Sequence, residues 1–203
     1  MISAKLLQGL NWTAPAEWAL VLEGPCRRFE INTSKRLAMF LANTGHETAG
    51  GRRLRESLNY RPEALVKQWP KYFTPEYAAE VGRTVSRPAD EKAIAEAAYG
   101  GRMGNKNPGD GWRFIGRGLM QTTGRYNYES LAEIMDMPVD DLPEWIETTV
   151  GAAESAAIFW HAKNCNDLAD AGAVDRCRQR INGGLIGIDD VRSRYATALG
   201  LLT

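Results

Sequence analysis

The sequence predicts a mainly α-helical protein, and three observations predict it. Residues 32–48, NTSKRLAMFLANTGHET, place Leu37, Phe40, Leu41 and Thr44 at i, i+3, i+4 and i+7, the spacing of a helix with one buried face. The segment ADEKAIAEAAY from Ala89 opens on acids and continues in alanine, which suits a helix whose positive end attracts carboxylates. The run 149–163, TVGAAESAAIFWHAK, is apolar enough for a core helix.

The first helix has Thr33 or Ser34 as its cap and Gly50-Gly51 as its stop. Two shorter helices are expected at 173–181, ended by Gly183-Gly184, and at 189–199, started by Gly-Ile-Asp-Asp. Strand signals are scarce; RFIGRGLMQTTG from Arg113 is the one place for one or two short strands. Between Tyr99 and Gly118 lies a glycine-rich loop, long enough to be functional or disordered. Its Trp112, Arg113 and Phe114 argue against disorder.

Composition narrows the function. The 203 residues suffice for one domain with its own core, here expected as a single catalytic domain, 1–203, with a smaller lobe near 61–90. Lys+Arg and Asp+Glu both number 25; without a basic excess, nucleic acid is not an expected partner. No apolar run approaches the ~20 residues of a membrane span, and MISAKLLQGLNW has no signal-peptide core. Cys26, Cys165 and Cys177 are an odd, low count, read as three buried thiols, although Cys165 and Cys177 are spaced so that they could pair.

The catalytic inventory is sparse. His46-Glu47 begins like a zincin motif, but position 50 is glycine. With His46 and His161 the sole histidines, a three-ligand zinc site is hard to assemble. No phosphate-binding loop or GxSxG elbow is present. Two glutamates remain. Glu47 falls on the apolar face of the 32–48 helix, in its last turn, where burial and the negative helix end favour a protonated carboxyl. Such an acid suits a leaving-group oxygen; a partly solvated, inert helix-end Glu is the plainer alternative. Glu56 follows Arg52, Arg53 and Arg55 and is expected to stay ionised, as a base or as an Arg-paired surface residue. An acid and an ionised carboxylate roughly 6.5–9.5 Å apart leave room for water and invert the anomeric centre.

In FLANTGHETAGG from Phe40, LRESLNY from Leu54, NPGDGWRFIGRGLMQTTGRYNY from Asn107 and ING from Ile181, the chain resembles glycoside hydrolase family 19. This is the family of plant-type chitinases and many phage endolysins. The segments stand in the family's order and span most of the chain, and the short interval between the glutamates resembles the bacterial and phage members.

The resemblance implies a lysozyme-like helical fold with a substrate cleft between two lobes. It makes Glu47 the general acid and Glu56 the general base, and puts Thr123 where a Ser or Thr helps hold the attacking water. It implies sugar contacts from Gln121, Asn127 and Asn182, and from a C-terminal arginine at Arg192, with Arg194 as the neighbouring alternative. Tyr60, Trp112 and Tyr126 lie within the motifs, where aromatic faces suit sugar rings, or serve as core. Trp69 and Trp160 lie outside them and are read as core.

The mechanism so implied needs no metal and no cofactor. Its expected substrate is peptidoglycan glycan, cut at β-1,4 bonds by an endolysin. Such a protein is made in the host bacterial cytoplasm and acts in the periplasm once a separate holin opens the membrane. It is expected as a monomer that does not itself insert into membranes. Chitinase activity and an inactive cell-wall glycan-binding module are the alternatives.

Overall fold

The structure, a computed structural model, describes residues 2–202. In chain order its helices are α1 (Ala4–Gly9), α2 (Pro15–Arg28), α3 (Ser34–Glu47), α4 (Pro62–Gln68), α5 (Pro75–Val81), α6 (Glu91–Tyr99), α7 (Asp110–Arg113), α8 (Arg125–Met135), α9 (Leu142–Ile146), α10 (Thr149–Ala162), α11 (Cys165–Asp170), α12 (Val174–Asn182) and α13 (Ile188–Leu202). The described residues contain no strand, only isolated bridge residues. The short strands considered for the RFIGRGLMQTTG segment do not form, because a helix turn and left-handed Gly118, Gln121 and Gly124 interrupt the extended run.

The chain forms two compact units. The first comprises 1–54, 117–121 and 144–203. Its core gathers Trp18, Leu22, Phe40, Leu41, Ala153, Ala157 and Trp160. Helix α10 is buried on nearly every side, so it packs by its alanines, with Phe40 edge-on to Trp160 at 5.4 Å between centroids. The Trp160 indole N–H donates to Asn166 Oδ1 at 2.8 Å, which satisfies its polar edge. Cys26, Cys165 and Cys177 are buried free thiols. Helix α3 packs on α13 and α11. Thr33 caps it by accepting from the Arg36 N–H at 3.2 Å.

Beyond α3 the chain turns through left-handed Ala49, Gly50 and Gly51. A side chain at Gly51 would fall 2.5 Å from the Trp18 indole, so this glycine permits the turn to lie on the core.

The second unit comprises 55–116 and 122–143, and residues 61–90 lie inside it. Its core holds Leu58, Leu65, Phe73, Ile94, Ala98 and Ile115. Trp69 is packed among Tyr60, Phe73 and Tyr99. The glycine-rich segment is ordered by charge. Asp110, 4% exposed, accepts backbone N–H groups of Lys106 and Asn107 at 3.0 Å, and the Arg125 guanidinium at 2.9 and 2.6 Å. Glu96 accepts the Trp112 N–H at 2.8 Å. Arg125 also covers the Phe114 ring at 4.4 Å, and the Tyr128 hydroxyl donates to Ile115 O at 2.8 Å.

Arg125 and the backbone donors hold the Asp110 carboxyl below its ordinary range. A depressed carboxylate stabilises the fold above its unfolded value, near ~4, and that contribution fades as pH falls through the lower folded value. Asp110→Asn is therefore expected to cost about 1–3 kcal/mol at neutral pH, since the charged pair with Arg125 is lost and only the longer Glu129 contact at 3.8 Å remains to that guanidinium. Urea titrations should show the gap from wild type shrinking below pH ~4; equal midpoints at pH 7 would refute this role for the pair.

Candidate active site

Glu47 is the last residue of α3, in the first unit. Its carboxylate oxygen Oε1 accepts a charge-assisted hydrogen bond from Nη1 of Arg178 on α12. The Arg178 side chain is 2% exposed and that of Glu47 20%. The same guanidinium donates from Nε to the Ile186 carbonyl at 2.9 Å. To the apolar helix face on which the sequence places Glu47 the fold adds a buried cation, Arg178.

The neighbouring His46 places Nδ1 2.7 Å from Asp190 Oδ2, and Arg194 Nε donates to the same oxygen at 2.8 Å. The last turn of α3 is thereby tied to α12 and to the start of α13. The charge-assisted bond from Arg178 fixes the rotamer of the Glu47 carboxylate.

Glu56 lies in the second unit, on the extended segment before α4. The Tyr99 hydroxyl donates to its Oε2 at 2.9 Å, and the Gly116 N–H donates to its Oε1. Its own N–H donates to Gly116 O at 2.9 Å. Burial and the adjacent Glu56 charge push the Tyr99 phenol well up from its usual value, so Tyr99 remains a neutral donor. The Arg55 guanidinium lies 4.5 Å over the Trp112 ring.

The other candidates are divided between the two units. In the second unit, Asn127 Nδ2 donates to the Thr123 carbonyl at 2.7 Å, so one candidate holds the backbone of another. Tyr126 is 55% exposed and rests on Gly104, where a Cβ would meet its ring at 2.5 Å. Tyr60 packs edge-on against Trp69 at 5.4 Å. In the first unit, Gln121 has a left-handed backbone and donates to Gly118 O at 3.0 Å. Asn182 is exposed at the end of α12. Arg192 pairs at the surface with Asp175 at 2.6 Å and Asp189 at 3.4 Å; the arginine on Glu47 is Arg178.

Sequence reasoning missed Arg178 and Tyr99. Arg178 stands four residues before Asn182, one helical turn away on the same face of α12, which was the available signal. Tyr99 is the last residue of α6 and carried none. No group of three or more His, Cys, Asp or Glu residues that could hold a metal occurs among the described residues. None of their helices is long and apolar enough to cross a membrane.

No protein-family model matches the chain. It is 37% identical over 155 residues to a glycosyl hydrolase family 19 domain-containing protein of Haemophilus influenzae, covering 75% of this chain and 73% of that protein. The chain belongs to glycosyl hydrolase family 19. It is accordingly a glycoside hydrolase, an enzyme that cleaves glycosidic bonds. Its helical fold is shared by solved family-19 structures. Chitinase C from Streptomyces griseus HUT6037 superposes with a TM-score of 0.62 at 16% identity, over 99% of this chain and 76% of that one. A bacterial family 19 chitinase superposes with a TM-score of 0.63 at 19% identity, over 99% of this chain and 94% of that one. The lysozyme-like helical architecture expected from the sequence agrees with these neighbours.

Proposed function

We propose that this family-19 hydrolase is an endolysin that cleaves β-1,4-glycosidic bonds of peptidoglycan. Glu47 protonates the glycosidic oxygen as general acid. Glu56 deprotonates a water on the opposite face of the sugar, and Thr123 helps orient that water. Arg178 fixes the Glu47 carboxyl. Tyr99 and the Gly116 N–H fix Glu56, so that its free lone pairs are aimed rather than mobile. Gln121, Asn127, Asn182, Trp112, Tyr126 and Tyr60 are the proposed sugar contacts, with Arg192 in the same role at the rim.

The reading rests on one observation above others. Two carboxylates nine residues apart in sequence are each held by dedicated donors, and they are the residues that the motif resemblance makes acid and base. In that role the enzyme acts as a monomer in the periplasm, after a separate holin has opened the host membrane. A second reading, hydrolysis of chitin, is favoured by the chitinases among its structural neighbours.

Incubation with purified Gram-negative peptidoglycan should generate new reducing sugar ends and no new free amines. NMR of the earliest product should show the α anomer, as single displacement on a β linkage requires. A β product would refute inversion, and amines without reducing ends would refute glycan cleavage. Strong turnover of chitin oligomers with inert peptidoglycan would establish the second reading instead.

A further inference from the structure

The turn between α12 and α13, residues 183–187 (GGLIG), carries two apolar side chains into solvent: Leu185 is 41% exposed and Ile186 79%. Single exposed hydrophobics are ordinary on protein surfaces. This pair is distinguished by how the turn is held and by what it is held to.

Arg178 donates from one edge to the Ile186 carbonyl and from the other to the Glu47 carboxylate. The two acceptor oxygens are therefore one guanidinium and two hydrogen bonds apart, within roughly 8 Å. Gly187 is left-handed at φ 76°, and a Cβ there would fall 2.1 Å from Nε2 of His46, so the turn lies directly on the residue before Glu47. Two backbone bonds close it, Ile188 N–H to Leu185 O and Val191 N–H to Gly187 O, each at 3.1 Å. Asp190, just beyond, holds His46. Exposure of Ile186 is thus imposed by a turn pinned at its carbonyl, its glycine and the start of α13, rather than by a loose loop.

A glycosidic oxygen protonated by Glu47 must come within hydrogen-bond reach of that carboxyl. A sugar flanking the bond then lies within a ring's width of the Ile186 peptide. In peptidoglycan every second sugar bears, on an ether oxygen, a lactyl group joined to the first alanine of the peptide stem. That branch point offers methyl groups, which polar residues would bind poorly and a branched aliphatic side chain binds well.

We infer that Ile186, seconded by Leu185, is a specificity-determining contact for the lactyl-alanyl root of the peptide stem on the sugar beside the scissile bond. The inference rests on the peptidoglycan reading above. The contact binds without touching the reacting atoms, so it lowers KM and leaves the chemical step alone.

The test uses the whole chain and two substrates: soluble glycan strands bearing their stems, and the same strands stripped of stems by an amidase. Ile186→Ser should raise KM about fivefold on stem-bearing strands, as loss of a partly buried aliphatic contact would. It should leave kcat within about twofold and KM on stripped strands near wild type. Ile186→Leu should restore most of the affinity. Unfolding midpoints should match, because the side chain is exposed. An unchanged KM on stem-bearing strands, an equal rise on both substrates, or a loss confined to kcat would each overturn the inference. Wild-type protein inert on both strands would overturn the peptidoglycan reading itself, a failure visible before any variant is compared.

Discussion

Glu47→Gln is expected to lower turnover by about 10²–10⁴-fold, the span attributed to general acid catalysis, while the protein stays folded. Glutamine fills the same volume and cannot give up a proton to a leaving oxygen. The choice of glutamine follows from Arg178. With its side chain 2% exposed, that guanidinium depends on Glu47 Oε1 and the Ile186 carbonyl. An amide oxygen still accepts from Nη1, so the cation keeps a partner although it loses its counter-charge. Glu47→Ala would leave it facing a cavity, at about 3–5 kcal/mol, the usual cost of breaking a buried pair. Lost activity would then report unfolding. Steady-state rates on peptidoglycan, with thermal unfolding measured alongside, separate the two. A Gln variant that keeps more than a tenth of the wild-type rate removes Glu47 from the acid role.

Helices with one clear face were legible in the sequence. The 32–48 pattern became α3 with Thr33 as its cap, because period and capping chemistry are local; the 149–163 run became α10, which is buried on nearly every side and was legible from its apolar composition rather than from a face. Helix α2 was not read, since its cap is Ala14 in a left-handed conformation without a side-chain bond and Pro25 sits inside it; neither announces a helix. Helix α8 was hidden for a like reason, as it starts at Gly124 without a side-chain cap.

The site divides in the same way. The motifs singled out the two glutamates as candidates. Their partners were not legible, because Arg178 is 131 residues from Glu47 and Tyr99 is 43 from Glu56, and tertiary packing alone selects such pairs. An arginine was anticipated at the C-terminal end, and Arg192 stood closest to the motif. Arg192 pairs at the surface with Asp175 and Asp189, and packing alone puts Arg178 against Glu47.

Glu56→Gln should be as damaging as the loss of the acid, again by about 10²–10⁴-fold, and for a reason the structure makes specific. Both oxygens of Glu56 accept hydrogen bonds, one from the Tyr99 hydroxyl and one from the Gly116 N–H. A glutamine must turn its NH₂ toward one of these donors. A hydroxyl can rotate and accept instead, whereas a backbone N–H cannot, so the amide oxygen should settle on Gly116 and its nitrogen on Tyr99. The side chain then keeps its place and has no lone pair basic enough to take a proton from water. Because acid and base act on one transition state, the Glu47→Gln, Glu56→Gln double variant should be little slower than the slower single one. Thr123→Ala should cost far less, about tenfold, the worth of one neutral hydrogen bond to the water, since Glu56 would still hold it. Single-turnover rates of the four variants on one peptidoglycan preparation decide the matter. Multiplicative losses in the double variant would mean that the two glutamates do not serve one step, and a Thr123→Ala defect as deep as that of Glu56→Gln would transfer the water-holding role from the carboxylate to the hydroxyl.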